Sequence, residues 1–312
     1  MAGSLAAKQC RQGQNPKEFS TFTEQKTKKG GVVPPLQRKK AKKVASQIRG
    51  TTDTWREAKV KGDIMDERLK KIIDSSENIV FFGGAGVSTE SNIPDFRSET
   101  GLYNARQQYG RSPEEMLSHS FFMRHTKTFF DYYRNNLIYP DAKPNKAHLA
   151  LAELERQGKI KAVITQNIDG LHQKAGSKNV FELHGSVLRN YCMDCGKFFE
   201  VDYIMDDGNW KDGILRCDSC GGIVKPDVVL YEEVLDENCI AGAVEAIQAA
   251  DTLIIGGTSL VVYPAAGLIR YFSGNNLVLI NKQPTQYDSM ADLVINDSIG
   301  KVMEIYEHFD LK

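Results

Sequence analysis

Short apolar runs alternate with longer amphipathic stretches from about residue 63 onward. Continuous apolar runs that end in glycine or polar residues are typical of buried parallel strands. They occur at residues 78–82, 160–165, 180–183, 252–255, 277–280 and 292–295. Helical spacing of apolar residues predicts helices near 64–73 and at 128–137, 147–157, 237–250, 264–272 and 299–308. This alternation predicts an α/β fold built on a doubly wound parallel sheet.

Two regions interrupt the alternation of strands and helices. Residues 94–144 are mostly helical in pattern, and residues 191–225 contain four cysteines. Both look like insertions that form a small lobe beside a large lobe of residues 63–93, 145–190 and 226–312. A cleft between two lobes is a common place for a ligand site.

Residues 1–62 are basic and lack this apolar periodicity. They hold 15 of the 40 lysines and arginines but only 4 of the 40 aspartates and glutamates, so a +11 segment precedes a −11 remainder. Such a segment cannot offset its chain entropy by burial, and we expect it to be disordered. The basic run at 38–43 has two interpretations: a solubilising tail, or an arm for nuclear localisation or nucleic-acid contact.

The sequence has no apolar stretch of about 18 residues and no apolar leader segment. Membrane spans and secretory signals need such segments. We therefore expect no membrane contact and a cytoplasmic location, with a nuclear location as the alternative in a eukaryotic source because of the basic run at 38–43.

Four of the six cysteines form two close pairs, Cys192 with Cys195 and Cys217 with Cys220. In an intracellular chain this paired spacing is typical of a tetrahedral zinc site rather than of disulfides. Because four thiolates fill the coordination sphere, we expect one structural zinc ion that leaves no position for a catalytic water.

The strand predicted at 78–82 runs into a glycine-rich loop that contains Gly84, Ala85 and Gly86. Glycines in this position let the backbone approach a pyrophosphate, and the N–H groups of the following helix can bind it. The loop therefore predicts a phosphate-binding site.

The residues after this loop argue against a dehydrogenase. Thr89 replaces the third glycine of the dehydrogenase fingerprint, and no acidic residue ends a second strand about 20 residues later. Asp95, Phe96 and Arg97 follow the loop, and this density of charged and aromatic groups predicts a lid over a bound nucleotide.

Polar residues also follow two other predicted strands at the point where each strand ends. They are Gln166, Asn167, Ile168 and Asp169 after the strand at 160–165, and His184 after the strand at 180–183. Because the carboxyl ends of parallel strands meet at one edge of a sheet, we expect these residues to converge on the glycine loop. The pKa of histidine near neutrality makes His184 the candidate general base.

Seven short motifs occur together with the four cysteines. They are GAGVS at 84–88, IPDFR at 93–97, TQNIDGLH at 165–172, LHG at 183–185, KPDVV at 225–229, GTSL at 257–260 and IN at 280–281. On these motifs the chain resembles the sirtuins, NAD-dependent protein deacylases, over residues 63–312, and it is most like their bacterial branch. The resemblance implies an inverted Rossmann-like NAD-binding domain with a smaller zinc-ribbon and helical lobe.

The resemblance also implies which residues bind each substrate. The residues implied to bind NAD are Gly84, Ala85, Gly86, Thr89, Asp95, Phe96, Arg97, Gln166, Asn167, Ile168, Asp169, His184, Gly257, Thr258, Ser259, Asn281 and Ile299. An acetyl-lysine protein or peptide is implied to add as a strand to the edge formed by Val228, Val229 and Leu230.

The reaction implied by the resemblance is deacetylation with NAD as co-substrate. The acyl oxygen attacks the ribose carbon as nicotinamide leaves, and Asn167 and Asp169 orient the reacting groups. His184 then removes a ribose hydroxyl proton. The products are nicotinamide, O-acetyl-ADP-ribose and the free lysine, and zinc takes no part.

One departure from the family bears on the acyl group. Sirtuins that prefer succinyl- or malonyl-lysine carry a Tyr-x-x-Arg pair, whereas this chain has Tyr132 and Asn135, with Arg134 displaced by one residue. One residue rotates a side chain by about 100° around a helix, so Arg134 should face elsewhere. We therefore expect a preference for acetyl-lysine.

Two alternative functions remain compatible with the sequence. The same glycosidic cleavage could serve an NAD glycohydrolase or a mono-ADP-ribosyltransferase. A zinc ribbon with a basic arm could instead bind nucleic acid, but only through the arm, because the −11 charge of the remainder repels phosphate.

Overall fold

The structure, a computed structural model, describes residues 67–95 and 106–304. The basic arm at 1–62, Phe96, Arg97 and the end of the helix predicted at 299–308 lie outside the described residues. In the described part of the chain, no helix is long and apolar enough to cross a bilayer.

Three sheets organise the described residues. Their strands are β1 (Ile79–Gly83), β2 (Ile160–Thr165), β3 (Val180–Glu182), β4 (Gly185–Cys192), β5 (Phe198–Glu200), β6 (Trp210–Lys211), β7 (Ile214–Leu215), β8 (Val224–Val228), β9 (Thr252–Gly256), β10 (Asn276–Ile280) and β11 (Leu293–Ile295). The largest sheet is parallel, in the order β3-β2-β1-β9-β10-β11. Strands β5, β4 and β8 form an antiparallel sheet, and β6 pairs with β7. The predicted parallel α/β sheet is confirmed.

The winding of the parallel sheet reverses between β1 and β9, which are neighbours. This strand order is that of dinucleotide-binding sheets, which bind their ligand in the crevice outside the reversal. Gly83 at the end of β1 is in register with Thr165 of β2 and Gly256 of β9. The predicted glycine loop therefore leaves the sheet at the reversal point.

Helices cover both faces of this sheet and build most of the small lobe. They are α1 (Glu67–Ser75), α2 (Pro113–Met116), α3 (His119–Arg124), α4 (Thr126–Asn136), α5 (Lys146–Arg156), α6 (Leu171–Ala175), α7 (Val201–Met205), α8 (Glu237–Ala249) and α9 (Ile299–Met303). The helix predicted at 264–272 is present at Ala265–Tyr271, where it is a 3-10 helix rather than an α-helix. Its buried residues include Ala265 and Leu268, three positions apart, which matches the three-residue period of that helix.

Alternate residues of β1 pack on opposite faces of the sheet. Val80 and Phe82 pack in a cluster with α8 and the 3-10 helix, whereas Ile79 and Phe81 pack in a cluster with α1, α5 and α9. All four side chains are fully buried. The uninterrupted apolar run of β1 is explained by this burial on both faces.

A third hydrophobic cluster joins α2, α3 and α4 to the antiparallel sheet. Aromatic rings make up much of it, and Phe122 meets Phe129 edge-on at 4.8 Å between ring centroids. Most of its buried residues fall within the ranges 94–144 and 191–225 that the sequence assigns to the small lobe. The predicted lobe boundaries at 190/191 and 225/226 lie inside β4 and β8, and the division between lobes stays a prediction.

Candidate active site

The loops that follow β1 and β9 pack backbone against backbone. Gly86 N donates to Gly257 O over 2.8 Å, and a Cβ atom on Gly86 would lie 2.7 Å from the Gly257 Cα. Gly257 has a φ of +59°, a conformation that favours glycine. Glycine is therefore required at both positions for the two loops to meet at the reversal point.

Ser88 links the glycine loop to the end of β2. Its hydroxyl donates to Asp169 Oδ2 over 2.6 Å and accepts from Asn167 Nδ2 over 3.0 Å. Burial raises the pKa of the Asp169 carboxyl, and the hydrogen bonds from Ser88 and from Leu171 N offset part of that rise. Ser88 was not among the predicted site residues, although its place directly after Gly-x-Gly and opposite a strand-end acid was a usable signal.

His184 is held in one tautomer by the end of β2. Its Nδ1 lies 2.9 Å from the Gln166 carbonyl oxygen, which can only accept, so Nδ1 carries the hydrogen. In the neutral imidazole the basic lone pair is then on Nε2. Gly185 follows with a φ of +74°, and a Cβ atom there would lie 1.9 Å from Asp227 O, so the corner has room only for glycine.

A cavity of about 280 Å³ opens where these strand ends meet. The predicted residues that line it are Gly84, Ala85, Asp95, Gln166, Asn167, Ile168, Asp169, His184, Val228, Val229, Leu230, Gly257, Thr258 and Ser259. The candidate base, the candidate orienting groups and the candidate peptide edge therefore line one cavity. Gln166 Nε2 donates to Thr258 Oγ1 over 3.1 Å, which joins the end of β2 to the loop after β9.

The four paired cysteines converge in the small lobe. Their Sγ atoms all lie within 4.8 Å of one another. Cys192 and Cys220 are separated by 3.4 Å, and Cys195 and Cys217 by 3.7 Å. A tetrahedral zinc ion with bonds of about 2.3 Å places its sulfurs about 3.8 Å apart. The four thiolates therefore fit a structural zinc ion, as predicted.

A comparison of the sequence with models of protein families gives a match. The model of the Sir2 family matches residues 84–264, which include the glycine loop, the strand ends and the cysteines. The chain belongs to the Sir2 family. An NAD-dependent protein deacetylase of Clostridium acetobutylicum is 66% identical over 76% of this chain and 95% of its own length. One of Clostridium perfringens is 67% identical over 76% of this chain and 96% of its own.

Solved Sir2 structures are similar to this chain over about three quarters of its length. A Sir2 with a p53 peptide and NAD is 36% identical, with a TM-score of 0.68, over 77% of this chain and 95% of that one. A structure from work on the mechanism and regulation of Sir2 enzymes is 41% identical, with a TM-score of 0.68, over 77% and 94%.

Four predicted NAD-binding residues of this Sir2 chain lie outside the cavity wall. Gly86 packs on Gly257, and Thr89 Oγ1 donates to Gly86 O over 3.0 Å. Asn281 follows β10, and its Nδ2 donates to Gln283 O. Ile299 is buried, with its Cδ1 against Gly256. Their roles in NAD binding stay predictions, as do those of Phe96 and Arg97, which lie outside the described residues.

The charge of the cavity wall bears on the acyl group. Its acidic residues are Asp95, Glu114, Asp169, Glu232 and Glu233. Among the described residues, no lysine or arginine lines the cavity.

Asn135 stands where sirtuins that prefer succinyl-lysine carry an arginine, and Arg134 is the residue before it. Arg134 does not line the cavity of this Sir2 chain, in agreement with the prediction that it faces elsewhere. The Arg134 guanidinium donates to Asp207 Oδ1 over 2.6 Å and lies 5.1 Å from the Trp210 ring centroid. Tyr132 is buried, with its ring edge-on to Tyr109 at 5.3 Å. Asn135 Nδ2 donates to the Asp131 carboxylate over 3.2 Å.

Proposed function

We propose that this chain removes acetyl groups from protein lysines with NAD as co-substrate. The observation that carries the proposal is the meeting of His184, Asp169 and the glycine loop in one cavity that Val228 and Val229 also line. The relatives called NAD-dependent protein deacetylase, at 66% and 67% identity, support the same reaction.

The strand ends at the reversal point hold NAD. Bound NAD supplies the electrophilic ribose carbon and the nicotinamide leaving group. The backbone at Gly84 and Ala85 approaches the phosphates, and Thr258 and Ser259 bind the adenosine half. Asn167 and Asp169, fixed through Ser88, orient the nicotinamide and its ribose, so the polar groups need no reorganisation during the reaction.

His184 acts as the general base from its Nε2 atom. The hydrogen bond from Nδ1 to the Gln166 carbonyl directs the basic lone pair to Nε2 and fixes the plane of the ring. The same backbone carbonyl belongs to the loop that carries Asn167 and Asp169. Base and orienting groups are therefore positioned by one short segment.

The acetyl-lysine peptide adds as a strand to the edge at Val228–Leu230. Val229 N donates to His184 O over 2.9 Å, so this edge is tied to the catalytic corner. Strand addition reads the peptide backbone more than its side chains. The carboxylate-lined wall supports acetyl-lysine over an acyl-lysine that carries a negative charge.

Three parts of the sequence prediction stay predictions. They are the cytoplasmic location, the nuclear alternative and the nucleic-acid contact through the basic arm. The last two depend on the run at 38–43, which lies outside the described residues.

Release of nicotinamide from NAD tests the proposal. A deacetylase should release nicotinamide only when an acetyl-lysine peptide is present, since the acyl oxygen is the nucleophile. Equal release without the peptide would favour an NAD glycohydrolase. Transfer of ADP-ribose to an unacetylated protein would favour a transferase.

A further inference from the structure

Strand β4 bulges where it passes the active site. It pairs with β8 at Ser186 opposite Asp227 and again at Asn190 opposite Pro226. Asp227 and Pro226 are consecutive in β8, whereas Ser186 and Asn190 are four residues apart in β4. Residues 187–189 are therefore the extra residues of a bulge in β4. Such bulges bend a strand and re-aim its side chains, and they are common beside active sites.

The bulge braces the loop that carries Asn167 and Asp169. Val187 N donates to Ile168 O over 2.9 Å, and Ser186 Oγ lies 3.4 Å from the same oxygen. Leu188 covers Gly170 so closely that a Cβ atom there would lie 2.5 Å from the Leu188 Cδ1. Movement of the bulge would therefore move this loop.

Arg189, the last residue of the bulge, binds two buried carboxylates. Its Nε donates to Asp227 Oδ2 over 2.9 Å, and its Nη1 donates to Glu182 Oε2 over 2.7 Å. The side chains of Asp227 and Glu182 are only 4% and 9% exposed, whereas Arg189 is 33% exposed. One cation thus joins three strands, because Glu182 ends β3 and Asp227 lies in β8.

The two carboxylates need this cation. Burial raises the pKa of Glu182, the Arg189 guanidinium offsets part of the rise, and the Asp227 charge adds to it. Without Arg189, two buried carboxylates would face each other, and uncompensated buried charge is strongly destabilising. The structure would relieve the repulsion by protonating one carboxyl group or by separating β3 from β8.

Each carboxylate is close in sequence to a residue that lines the active-site cavity. Glu182 lies two residues before His184, and Asp227 lies directly before Val228. Between them, Gly185 fits against Asp227 O with no room for a Cβ atom. Separation of β3 from β8 would therefore displace the base and the peptide edge together.

We propose that Arg189 is a positioning residue for the deacetylation reaction. It sets the position of His184 and of the peptide edge through Glu182 and Asp227, without touching either substrate. This inference rests on the proposed function. It predicts a larger loss in kcat and in peptide binding than in NAD binding, because the phosphates and the adenosine half of NAD are assigned to the loops after β1 and β9 and not to the strands that Arg189 joins.

The test compares steady-state kinetics of Arg189→Met, Arg189→Lys and the double variant Arg189→Met with Glu182→Gln. For Arg189→Met we expect kcat to fall by about tenfold and the KM for peptide to rise by about threefold or more, with the KM for NAD within about twofold. The double variant removes one of the opposed charges and should recover at least about threefold in kcat. Arg189→Lys should be intermediate, because an ammonium cannot reproduce the planar fork of a guanidinium.

Arg156→Met is the matched control, since Arg156 also binds a carboxylate through two nitrogen atoms, on the exposed face of α5. It should leave every constant within about twofold. If Arg189→Met folds like the wild type with unchanged kcat and peptide KM, the proposal is overturned. A loss that the double variant does not relieve also overturns it. If Arg189→Met does not fold, Arg189→Lys decides by the same criteria.

The imidazole ¹⁵N resonances of His184 give a readout that is independent of turnover. They should shift in Arg189→Lys and stay in place in Arg156→Met, and unshifted resonances in both variants would overturn the proposal. Absence of O-acetyl-ADP-ribose from the wild type would contradict the proposed function instead, and the resonances would still test the role of Arg189.

Discussion

The cleft and the zinc module hold their functional groups in place by different means. In the cleft each group is fixed by a separate short contact, such as Ser88 to Asp169 or His184 to the Gln166 carbonyl. In the zinc module four sulfurs within 4.8 Å of one another depend on a single ion. Damage to the cleft should therefore be graded and local, whereas damage to the metal site should be complete and structural.

Loss of zinc is the sharpest way to expose this difference. A structural zinc in small domains contributes about 10–16 kcal/mol, which is as large as the whole stability of a typical domain, about 5–15 kcal/mol. We expect chelation, or Cys195→Ser, to unfold the small lobe and abolish deacetylation, as measured by thermal unfolding and product formation. Cys10→Ser, which changes a cysteine outside both pairs, is the control. A metal-free protein with unchanged Tm and activity would contradict the structural role.

Replacement of the base should remove activity without removing the fold. We expect His184→Ala to lower kcat by at least about 10²-fold, the usual contribution of a general base, with an unchanged Tm. His125→Ala changes an exposed histidine of the small lobe and should stay within about twofold. Activity of His184→Ala within a few-fold of wild type would refute the assignment of the base.

The next largest effect should be the difference in kcat/KM between acetyl-lysine and succinyl-lysine peptides. A buried carboxylate without a partner costs several kcal/mol, and only about 1.4 kcal/mol already gives tenfold discrimination. We therefore expect kcat/KM for acetyl-lysine to exceed that for succinyl-lysine by tenfold or more in a competition assay. Butyryl-lysine, which has a four-carbon acyl chain like succinyl but no charge, separates the effect of length from that of charge. Equal turnover of acetyl and succinyl peptides would show that a cation reaches the cavity.

The smallest effect is expected from Ser88→Ala. Loss of one hydrogen bond to a carboxylate, about 1.5 kcal/mol, should lower kcat/KM for NAD by about tenfold. The Ser88 hydroxyl stabilises the ionised form of Asp169, so its loss should raise the pKa of that carboxyl further. The acidic limb of the pH–rate profile should then move to higher pH, whereas Ser75→Ala on the surface should leave the profile in place. An unmoved profile would show that Asp169 does not depend on Ser88.

The sequence predicted those parts of the molecule whose structure depends on residues close together in the chain. The run at 79–82 is apolar because both faces of β1 are buried, and the cysteine spacing carries the geometry of zinc within each pair. The contact of Ser88 with Asp169 and that of Arg189 with Asp227 were missed because the two partners are distant along the chain. Asp169 is 81 residues from Ser88, and Asp227 is 38 residues from Arg189. The bulge of β4 depends on the pairing register with β8, which no local pattern encodes.

Product analysis tests the central claim most directly. Wild-type protein incubated with NAD and an acetyl-lysine peptide should give nicotinamide, O-acetyl-ADP-ribose and deacetylated peptide in equal amounts by mass spectrometry. Formation of free ADP-ribose at a rate that does not depend on the peptide, with the acetyl group still on lysine, would contradict the account.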